Sequence, residues 1–298
     1  MKKRSKRIEY VRCGKNACLL WSAYKCKDTE VVIPNKVLFK GRVVAIDKFA
    51  FSDNKRMKSV IIPSDVVSIG ESAFDNCENL ETVVLPKELK SIGTESFKNC
   101  KKLKSILFPP TVIAIAAKSF VGCCCLESID LSHVRSIGER AFEGCDSLSD
   151  IKISDGVEEI NANSFRDSGY FNEQANWENG LLRLGKWVIG SKGTKNEYVI
   201  KKDTVGIASD VFNNELHVKR TSNPEYESER ETYEAAMVCF QMRLPDLSKI
   251  PEYLEEIIPI RIRYEGTSDE WSKIIKLQGE KQIPATVITD DETIETYL

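Results

Sequence analysis

Cysteine is the residue type with the widest chemistry in this sequence, because a thiolate can bind a metal, attack a substrate or form a disulfide. The 298-residue chain has ten cysteines, three of them consecutive at Cys123, Cys124 and Cys125. Structural zinc favours four converging ligands, typically in closely spaced Cys-x-x-Cys pairs. Four cysteines instead recur every 22 or 23 residues, at Cys77, Cys100, Cys123 and Cys145. This spacing predicts a row of buried, reduced thiols that pack inside a repeat, with a redox role and a metal site as the alternatives.

Nucleophilic catalysis would need a base within hydrogen-bond reach of a serine or cysteine. The sequence offers two histidines, His133 and His217, and no motif links either of them to a nucleophile. Acidic residues are grouped at 227–234 and 290–292, where we interpret them as solvent-facing charges and not as the paired carboxylates of a glycosidase. The sequence therefore predicts a protein that is not an enzyme and that has no cofactor or metal.

Composition and charge narrow the classes of partner. The formal net charge is −2 and the pI about 6.0, whereas a general nucleic-acid binder needs a surplus of cations to neutralise phosphates. The basic segment Lys2 to Arg7 is not followed by the apolar run of roughly 7–15 residues that a secretory signal has. No stretch approaches the roughly 20 apolar residues of a membrane-spanning helix. We therefore expect no nucleic-acid partner, no membrane insertion and a cytoplasmic location.

Phenylalanines define an internal repeat. They are separated by 23, 23, 23, 22 and 23 residues, at Phe51, Phe74, Phe97, Phe120, Phe142 and Phe165. An isoleucine lies five residues before each of them, and the first five are followed at nine and eleven residues by a pair of apolar residues. A period this strict predicts a solenoid, in which a coil buries its apolar edge only against neighbouring coils.

The sequence predicts the same three elements in each repeat. The segment nine to eleven residues after phenylalanine alternates apolar and outward-facing residues, which predicts a short strand that a proline ends in three repeats. The Ile-Gly segment predicts a second short extended element, in which Gly70, Gly93 and Gly138 would supply positive φ. The Ala-Phe or Ser-Phe pair predicts a single helical or 3₁₀ turn against the core. The fold class is therefore α/β, a curved stack of short parallel strands with repeats of about 22–23 residues.

The consensus of the repeat resembles a known family. The pattern Ala-Phe-x-x-Cys-x-x-Leu-x-x-Ile-x-Leu-Pro-x-x-Val-x-x-Ile-Gly, almost complete in Ser72–Gly93, looks like BspA-type leucine-rich repeats. An opening coil at Thr29–Phe51, a hairpin-bearing variant repeat at Trp177–Phe212 and a closing motif at Arg263–Ile274 are similar to other parts of that family. The resemblance implies a leucine-rich-repeat solenoid. It also implies adhesion to proteins, and a secreted or cell-surface location as the alternative to a cytoplasmic one.

We predict a single leucine-rich-repeat solenoid domain over 1–298, with terminal caps and an inserted helix. An N-terminal cap hairpin at 1–28, with strands at Ile8–Cys13 and Cys18–Tyr24, precedes regular repeats at 29–165 and the variant repeat at 166–212. Residues 213–241 depart from the pattern, and the apolar residues of Pro224–Phe240 have the spacing of an amphipathic helix. A degenerate last repeat, which begins near Met242, and a C-terminal cap occupy 242–298.

The predicted binding surface is the outward face of the repeat strands. Ten residues after phenylalanine the sequence has an apolar stripe followed by an acid: Ile61, Val84, Leu107 and Asp130. Hydroxyl groups lie two residues earlier, at Ser59, Thr82, Ser105 and Ser128. Alternating charges precede those, at Lys58, Glu81, Lys104 and Glu127. The stripe has two interpretations: β-branched residues that suit a pleated surface, or an exposed apolar patch that marks a partner site.

We predict that this face binds another protein, as an adhesion or scaffold module. The alternative partner is a carbohydrate or cell-surface polymer, which would favour exposed aromatic side chains. The candidates for that role are Trp177, Trp187 and Tyr170 in the variant repeat.

Overall fold

The computed structural model describes residues 8–23, 26–161, 163–192, 197–209, 211–212, 217–220, 254–258, 260–276 and 284–297. These segments wind into a solenoid of short strands with few helices, and the apolar repeat positions line its interior. The predicted solenoid is therefore confirmed. The helix predicted at 224–240 and the start of the last repeat near Met242 lie outside the described residues.

An antiparallel hairpin lies at the N-terminal end of the stack. Its strands are β1 (Glu9–Arg12) and β2 (Ala17–Ser22), close to the ranges expected for the hairpin. The next strands are β3 (Glu30–Val32), β4 (Lys36–Val37) and β5 (Gly41–Ile46). Strand β5 pairs in parallel with β2 and in antiparallel with β4, so the hairpin is joined directly to the first coil.

One side of the stack is a ladder of the strands that contain the periodic isoleucines. It runs β5–β7–β9 and then β10–β12–β14, where the new strands are β7 (Ser68–Ile69), β9 (Ser91–Ile92), β10 (Ala114–Ile115), β12 (Ser136–Ile137) and β14 (Glu159–Ile160). All of these isoleucine side chains are buried. The second extended element predicted for each repeat is confirmed.

A second ladder forms the strand face. It contains β3, β6 (Ser59–Ile61) and β8 (Thr82–Val84), and further along β11 (Ser128–Leu131) and β13 (Asp150–Ile153). Between the two parts, the described residues 105–107 form no strand, so the uninterrupted row that we predicted is wrong at this coil. Phe108 here takes the place of Leu131 in the next coil, and its ring packs edge-on against Phe120, with centroids 5.7 Å apart. We attribute the gap to this larger ring and to the following Pro109–Pro110 pair, which has no N–H to donate.

The phenylalanines form one column of stacked rings through the interior. Adjacent rings from Phe51 to Phe165 lie 5.0–5.4 Å apart between centroids and within 4–8° of parallel. All six side chains are buried, as predicted. The backbone pairs from coil to coil at the same level, since the N–H of Phe74 donates to the carbonyl of Ser96 at 2.7 Å.

The segment around each phenylalanine is a series of hydrogen-bonded turns, and the predicted helical or 3₁₀ turn is wrong. Each regular coil has residues with left-handed backbone here, such as Ser72 (φ 50°) and Asn76 (φ 57°). A right-handed helix excludes that conformation. The left-handed residues direct N–H groups to the next coil instead: Ser72 donates to the carbonyl of Thr94 at 2.9 Å and Asn76 to that of Lys98 at 2.8 Å.

The glycines of the Ile-Gly segments do not have positive φ, so that part of the prediction is also wrong. A Cβ on Gly70 would lie 2.5 Å from the backbone nitrogen of Lys48, and one on Gly138 would lie 2.5 Å from that of Ala117. Glycine is needed at these positions because the backbones of successive coils approach too closely for any side chain.

The variant repeat contains the expected antiparallel hairpin. It begins with α1 (Gly169–Asn172) and a 3₁₀ turn at Gln174–Asn176, and continues with β15 (Trp177–Glu178), β16 (Leu181–Leu184) and β17 (Trp187–Ser191). The next strands are β18 (Glu197–Ile200) and β19 (Gly206–Ile207). Strand β17 pairs in antiparallel with β16 and in parallel with β19, which returns the chain to the stack.

The C-terminal part adds further paired strands, in sheets separate from the two ladders. Its strands are β20 (His217–Arg220), β21 (Leu254–Ile258), β22 (Ile260–Tyr264), β23 (Ile275–Lys276), β24 (Pro284–Ile288) and β25 (Thr293–Tyr297). Strands β18, β22 and β24 are parallel, and β25 pairs in antiparallel with β24. Helix α2 (Ser268–Ser272) lies within the predicted closing motif and buries Trp271. The domain boundaries drawn from the sequence stay a prediction.

Candidate functional site

The four periodic cysteines form a row of buried thiols. Each donates a hydrogen bond to the carbonyl of the phenylalanine one coil back, with sulfur–oxygen distances of 3.2–3.3 Å. Burial raises the pKa of the Cys77 thiol to about 12, and burial also raises the pKa of the other three thiols. These groups are therefore protonated at neutral pH and serve as packing and as donors to the backbone.

The other candidates for chemistry are dispersed. Cys124 is half-buried, burial raises the pKa of its thiol, and the thiol donates to the carbonyl of Gly122 at 3.4 Å. His133 is exposed in the turn after β11. Among the described residues, no group of three or more His, Cys, Asp and Glu side chains is placed to hold a metal ion. In the same part of the chain, no helix is long and apolar enough to cross a membrane.

The strand face presents an apolar row in register. Val32 lies opposite Ile61, and Ile61 lies opposite Val84, on three parallel strands spaced about 4.8 Å apart. The three side chains are 51%, 45% and 47% exposed, whereas the valines one residue before Ile61 and Val84 are buried. Strand alternation therefore displays three β-branched side chains side by side and directs their neighbours into the core.

Val32 was missed by the sequence reasoning. The segment Glu-Val-Val-Ile-Pro at 30–34 repeats the strand-and-proline pattern of the later coils, and this was the available signal. The interval from Val32 to Ile61 is 29 residues and not 23, which hides the match. The extra residues contain β4 and its turn to β5.

Polar groups flank the apolar row on one side. Ser59 and Thr82 are opposite each other in the ladder, and the N–H of Glu81 donates to the carbonyl of Lys58 at 2.8 Å. Neither Lys58 nor Glu81 forms an ion pair with another described residue, so both charges face solvent. The structure thus brings together half of the predicted site residues: Lys58, Ser59, Ile61, Glu81, Thr82 and Val84.

The other predicted site residues are not part of this cluster. Three lie in the coil without a strand, where Leu107 is 81% exposed: Lys104, Ser105 and Leu107. Three lie at or beside β11, in the separate second part of the face: Glu127, Ser128 and Asp130. The carboxylate of Asp130 accepts hydrogen bonds from the N–H and hydroxyl of Ser132, which lower its pKa, and its register partner is Lys152. This second part of the face is polar.

A cleft opens at the N-terminal end of the apolar row, and the sequence reasoning did not find it. It has a volume of about 630 Å³ and is lined by residues of β1, β2, β3 and the β4–β5 turn, including Val32. Trp21 and Leu38 line it and are 52% and 68% exposed, and the adjacent Phe39 is 87% exposed. The sequence signal was the longer first repeat, whose extra residues include Leu38 and Phe39.

The aromatic residues proposed for glycan binding do not form an exposed platform. Trp187 is buried in the variant repeat. The Tyr170 hydroxyl donates to a backbone carbonyl of β16 at 2.6 Å. The indole N–H of Trp177 donates to the carbonyl of Phe171 at 2.6 Å, and the Lys192 ammonium lies 4.5 Å from its ring centroid. Trp187 is therefore inaccessible, and the polar groups of the half-buried Tyr170 and Trp177 are bonded to backbone carbonyls of the protein.

Comparisons with known proteins agree with the repeat architecture. A family model described as BspA type leucine rich repeat region (6 copies) matches residues 23–134 and 113–229, which together are more than half of the chain. No curated protein matches the sequence.

Two solved structures have a similar fold. A leucine rich cell surface protein from Faecalibacterium prausnitzii A2-165 is 18% identical with a TM-score of 0.54, and the match covers 92% of this chain and 97% of that one. A leucine-rich repeat protein from Bacteroides ovatus ATCC 8483 is 20% identical with a TM-score of 0.51, and the match covers 94% of this chain and 67% of that one. At these identities the likeness concerns the fold alone.

Proposed function

We propose, from the premise that this chain belongs to the BspA-type leucine-rich repeat family, that it is a non-enzymatic binding protein that holds another protein on its strand face. The observation that carries the proposal is the row of Val32, Ile61 and Val84. These side chains are in register and about half exposed. Adjacent strands hold them at a fixed spacing, so a partner finds a preformed apolar surface and little ordering entropy opposes binding.

The surroundings of the row support a protein partner. Protein interfaces commonly have a desolvated apolar centre and a polar rim. Here Thr82 and the unpaired charges of Lys58 and Glu81 supply the rim, and opposite charges one coil apart would orient an incoming chain. An apolar row suits the side chains of a protein better than the hydroxyl-rich surface of a sugar.

The test is a direct comparison of partner classes. The purified chain is immobilised for a pull-down with mass-spectrometric identification, and the same preparation is applied to a glycan array. We expect a protein to be captured and to bind saturably when it is purified, with no glycan bound at comparable concentration. Saturable glycan binding without protein capture would replace the proposal by the carbohydrate alternative. The cytoplasmic location stays a prediction, with a secreted or cell-surface location as its alternative.

A further inference from the structure

The N-terminal cleft is a second surface, and its features differ from those of the apolar row. We propose that it binds an extended segment of a partner protein, with alternating apolar residues and a carboxylate, which adds as a strand to the free edge of β3. The inference goes beyond the strand-face proposal because it uses other residues and another mode of recognition. Four features carry it: an open strand edge, a second edge that is blocked at one carbonyl, exposed apolar walls and a positive charge.

The open edge belongs to β3. Among the residues that the structure describes, this strand is the first of its sheet and pairs with β6 on one side only. The carbonyl of Thr29 accepts from the N–H of Ser59, and the N–H of Ile33 donates to the carbonyl of Ile61, so residues 29, 31 and 33 direct their backbone groups to β6. Because these groups alternate along a strand, those of Glu30 and Val32 point to the other side, where Val32 lines the cleft. An extended chain placed there would find a donor and an acceptor on each of two residues.

The other strand edge at the cleft is blocked at one carbonyl by a side chain of the protein itself. Strand β1 is the outer strand of its sheet. The ammonium of Lys40 donates a hydrogen bond to the carbonyl of Tyr10 in this strand. A lysine ammonium that occupies a backbone carbonyl of an edge strand hinders further strand pairing there. An incoming strand would therefore pair with β3 and not with β1.

The walls of the cleft include exposed apolar side chains on a turn with an unfavourable backbone conformation. Residues 37–40 form a turn closed by the N–H of Lys40 and the carbonyl of Val37 at 3.1 Å. Its third residue, Phe39, has φ 63°, a conformation that glycine or asparagine adopts more easily. The position is outside the periodic left-handed sites of the repeat, and both Leu38 and Phe39 of this turn are largely exposed. A local strain that displays two apolar side chains is typical of a binding site.

The charge of the cleft selects the chemistry of the segment. Two lysines, Lys36 and Lys40, line it with one acid, Glu9, which gives a net charge of +1. Lys40 is engaged by β1, whereas Lys36 forms no ion pair with another described residue and is exposed. A carboxylate on the incoming strand would complement Lys36, and its apolar side chains would contact Trp21 and Leu38.

A phage-displayed library of random octapeptides, selected against the full chain, tests the proposal. Selected peptides should alternate apolar residues, contain Asp or Glu and lack a central proline. Leu38→Asp and Lys36→Glu should each lower the affinity for a selected synthetic peptide by about tenfold or more, as expected for an interface anchor. The Lys36→Glu loss should be recovered when the peptide carboxylate is changed to lysine. Both positions are exposed, so circular dichroism should show an unchanged fold.

N-methylation of the peptide separates strand addition from simple apolar contact. Methylation at every second amide should abolish binding, and methylation at the intervening amides should not. Val67→Glu combined with Ile113→Glu, at exposed positions beside the other ladder, is the control and should leave peptide affinity unchanged. Failure to select such peptides, affinity that survives Leu38→Asp, or tolerance of N-methylation at every position would overturn the proposal. A dimer that Leu38→Asp dissociates would assign the cleft to a second copy of the chain.

Discussion

The thiol of Cys100 donates a hydrogen bond to the carbonyl of Phe74, one coil back, at 3.3 Å. The same bond recurs at the other three periodic cysteines. A thiol is small and largely apolar, and it is also a weak donor, so one side chain fills the space beside the ring column and satisfies a backbone carbonyl. The cysteines are thus part of the repeat itself and not of a separate site.

The buried thiols predict that the protein becomes less stable at high pH. Unfolded Cys77 loses its proton above its ordinary pKa of 9.0, whereas the folded thiol keeps it up to a pKa of about 12. Between these values the unfolded state binds fewer protons, so the free energy of unfolding should fall as pH rises, by about 1.4 kcal/mol per pH unit for each such thiol. Urea unfolding at pH 9, 10 and 11 measures the slope.

Two variants assign this slope to burial. Cys77→Ala should make it shallower by about one thiol's share. Leu107→Ala should leave it unchanged, because Leu107 is largely exposed and has no titratable group. A slope that is the same in Cys77→Ala as in the parent would contradict the buried, protonated state of the thiol.

Phe97→Ala tests the ring column. Phe97 lies between two stacked rings and is fully buried, so no neighbour can fill the space that its ring leaves. We expect a loss of roughly 3–5 kcal/mol in the free energy of unfolding by chemical denaturation. Leu107→Ala is the control, and since Leu107 is largely exposed it should change stability by less than about 0.5 kcal/mol. Similar effects of the two substitutions would be inconsistent with the column.

Gly93→Ala tests the close approach of successive coils. The added Cβ would lie 2.6 Å from the backbone nitrogen of Glu71, so the coils would have to separate, at a cost of more than about 1 kcal/mol. Gly156→Ala is the matched control because its nearest contact, the Ser154 hydroxyl, is 3.4 Å away. In thermal and chemical denaturation, the stability of the control should be close to that of the parent. The interpretation fails if Gly93→Ala is as stable as the control.

Much of the fold follows from the sequence because the repeat is strict. Burial of Phe97 and Ile92 depends only on periodicity, which a single sequence shows. The role of Gly93 could not be predicted in this way, since glycine permits both positive φ and close backbone approach. Only the position of the Glu71 backbone against Gly93 shows that close approach is the reason. The turns around Ser72 were misjudged for a similar reason, because their N–H groups bond to the next coil and not along the chain.

Less of the candidate site than of the fold could be predicted from the sequence. The outward direction of Ile61 and Val84 follows from strand alternation. The gap at Leu107 depends on how the Phe108 ring packs against the column, and the place of Val32 in the row depends on an insertion that changes the interval. A sequence period does not show contacts between segments of unequal length. The cleft beside Val32 could therefore be found only in the structure.

The most direct test of the proposed function is the affinity of a partner identified by pull-down for two double variants of the full chain. One carries Ile61→Glu and Val84→Glu. The other carries Val67→Glu and Ile113→Glu, which change exposed apolar residues beside the other ladder by the same chemistry. We predict that both fold normally, that the first binds at least about tenfold more weakly than the parent, and that the second binds as the parent does. Equal affinity of the two double variants would contradict binding through the strand face.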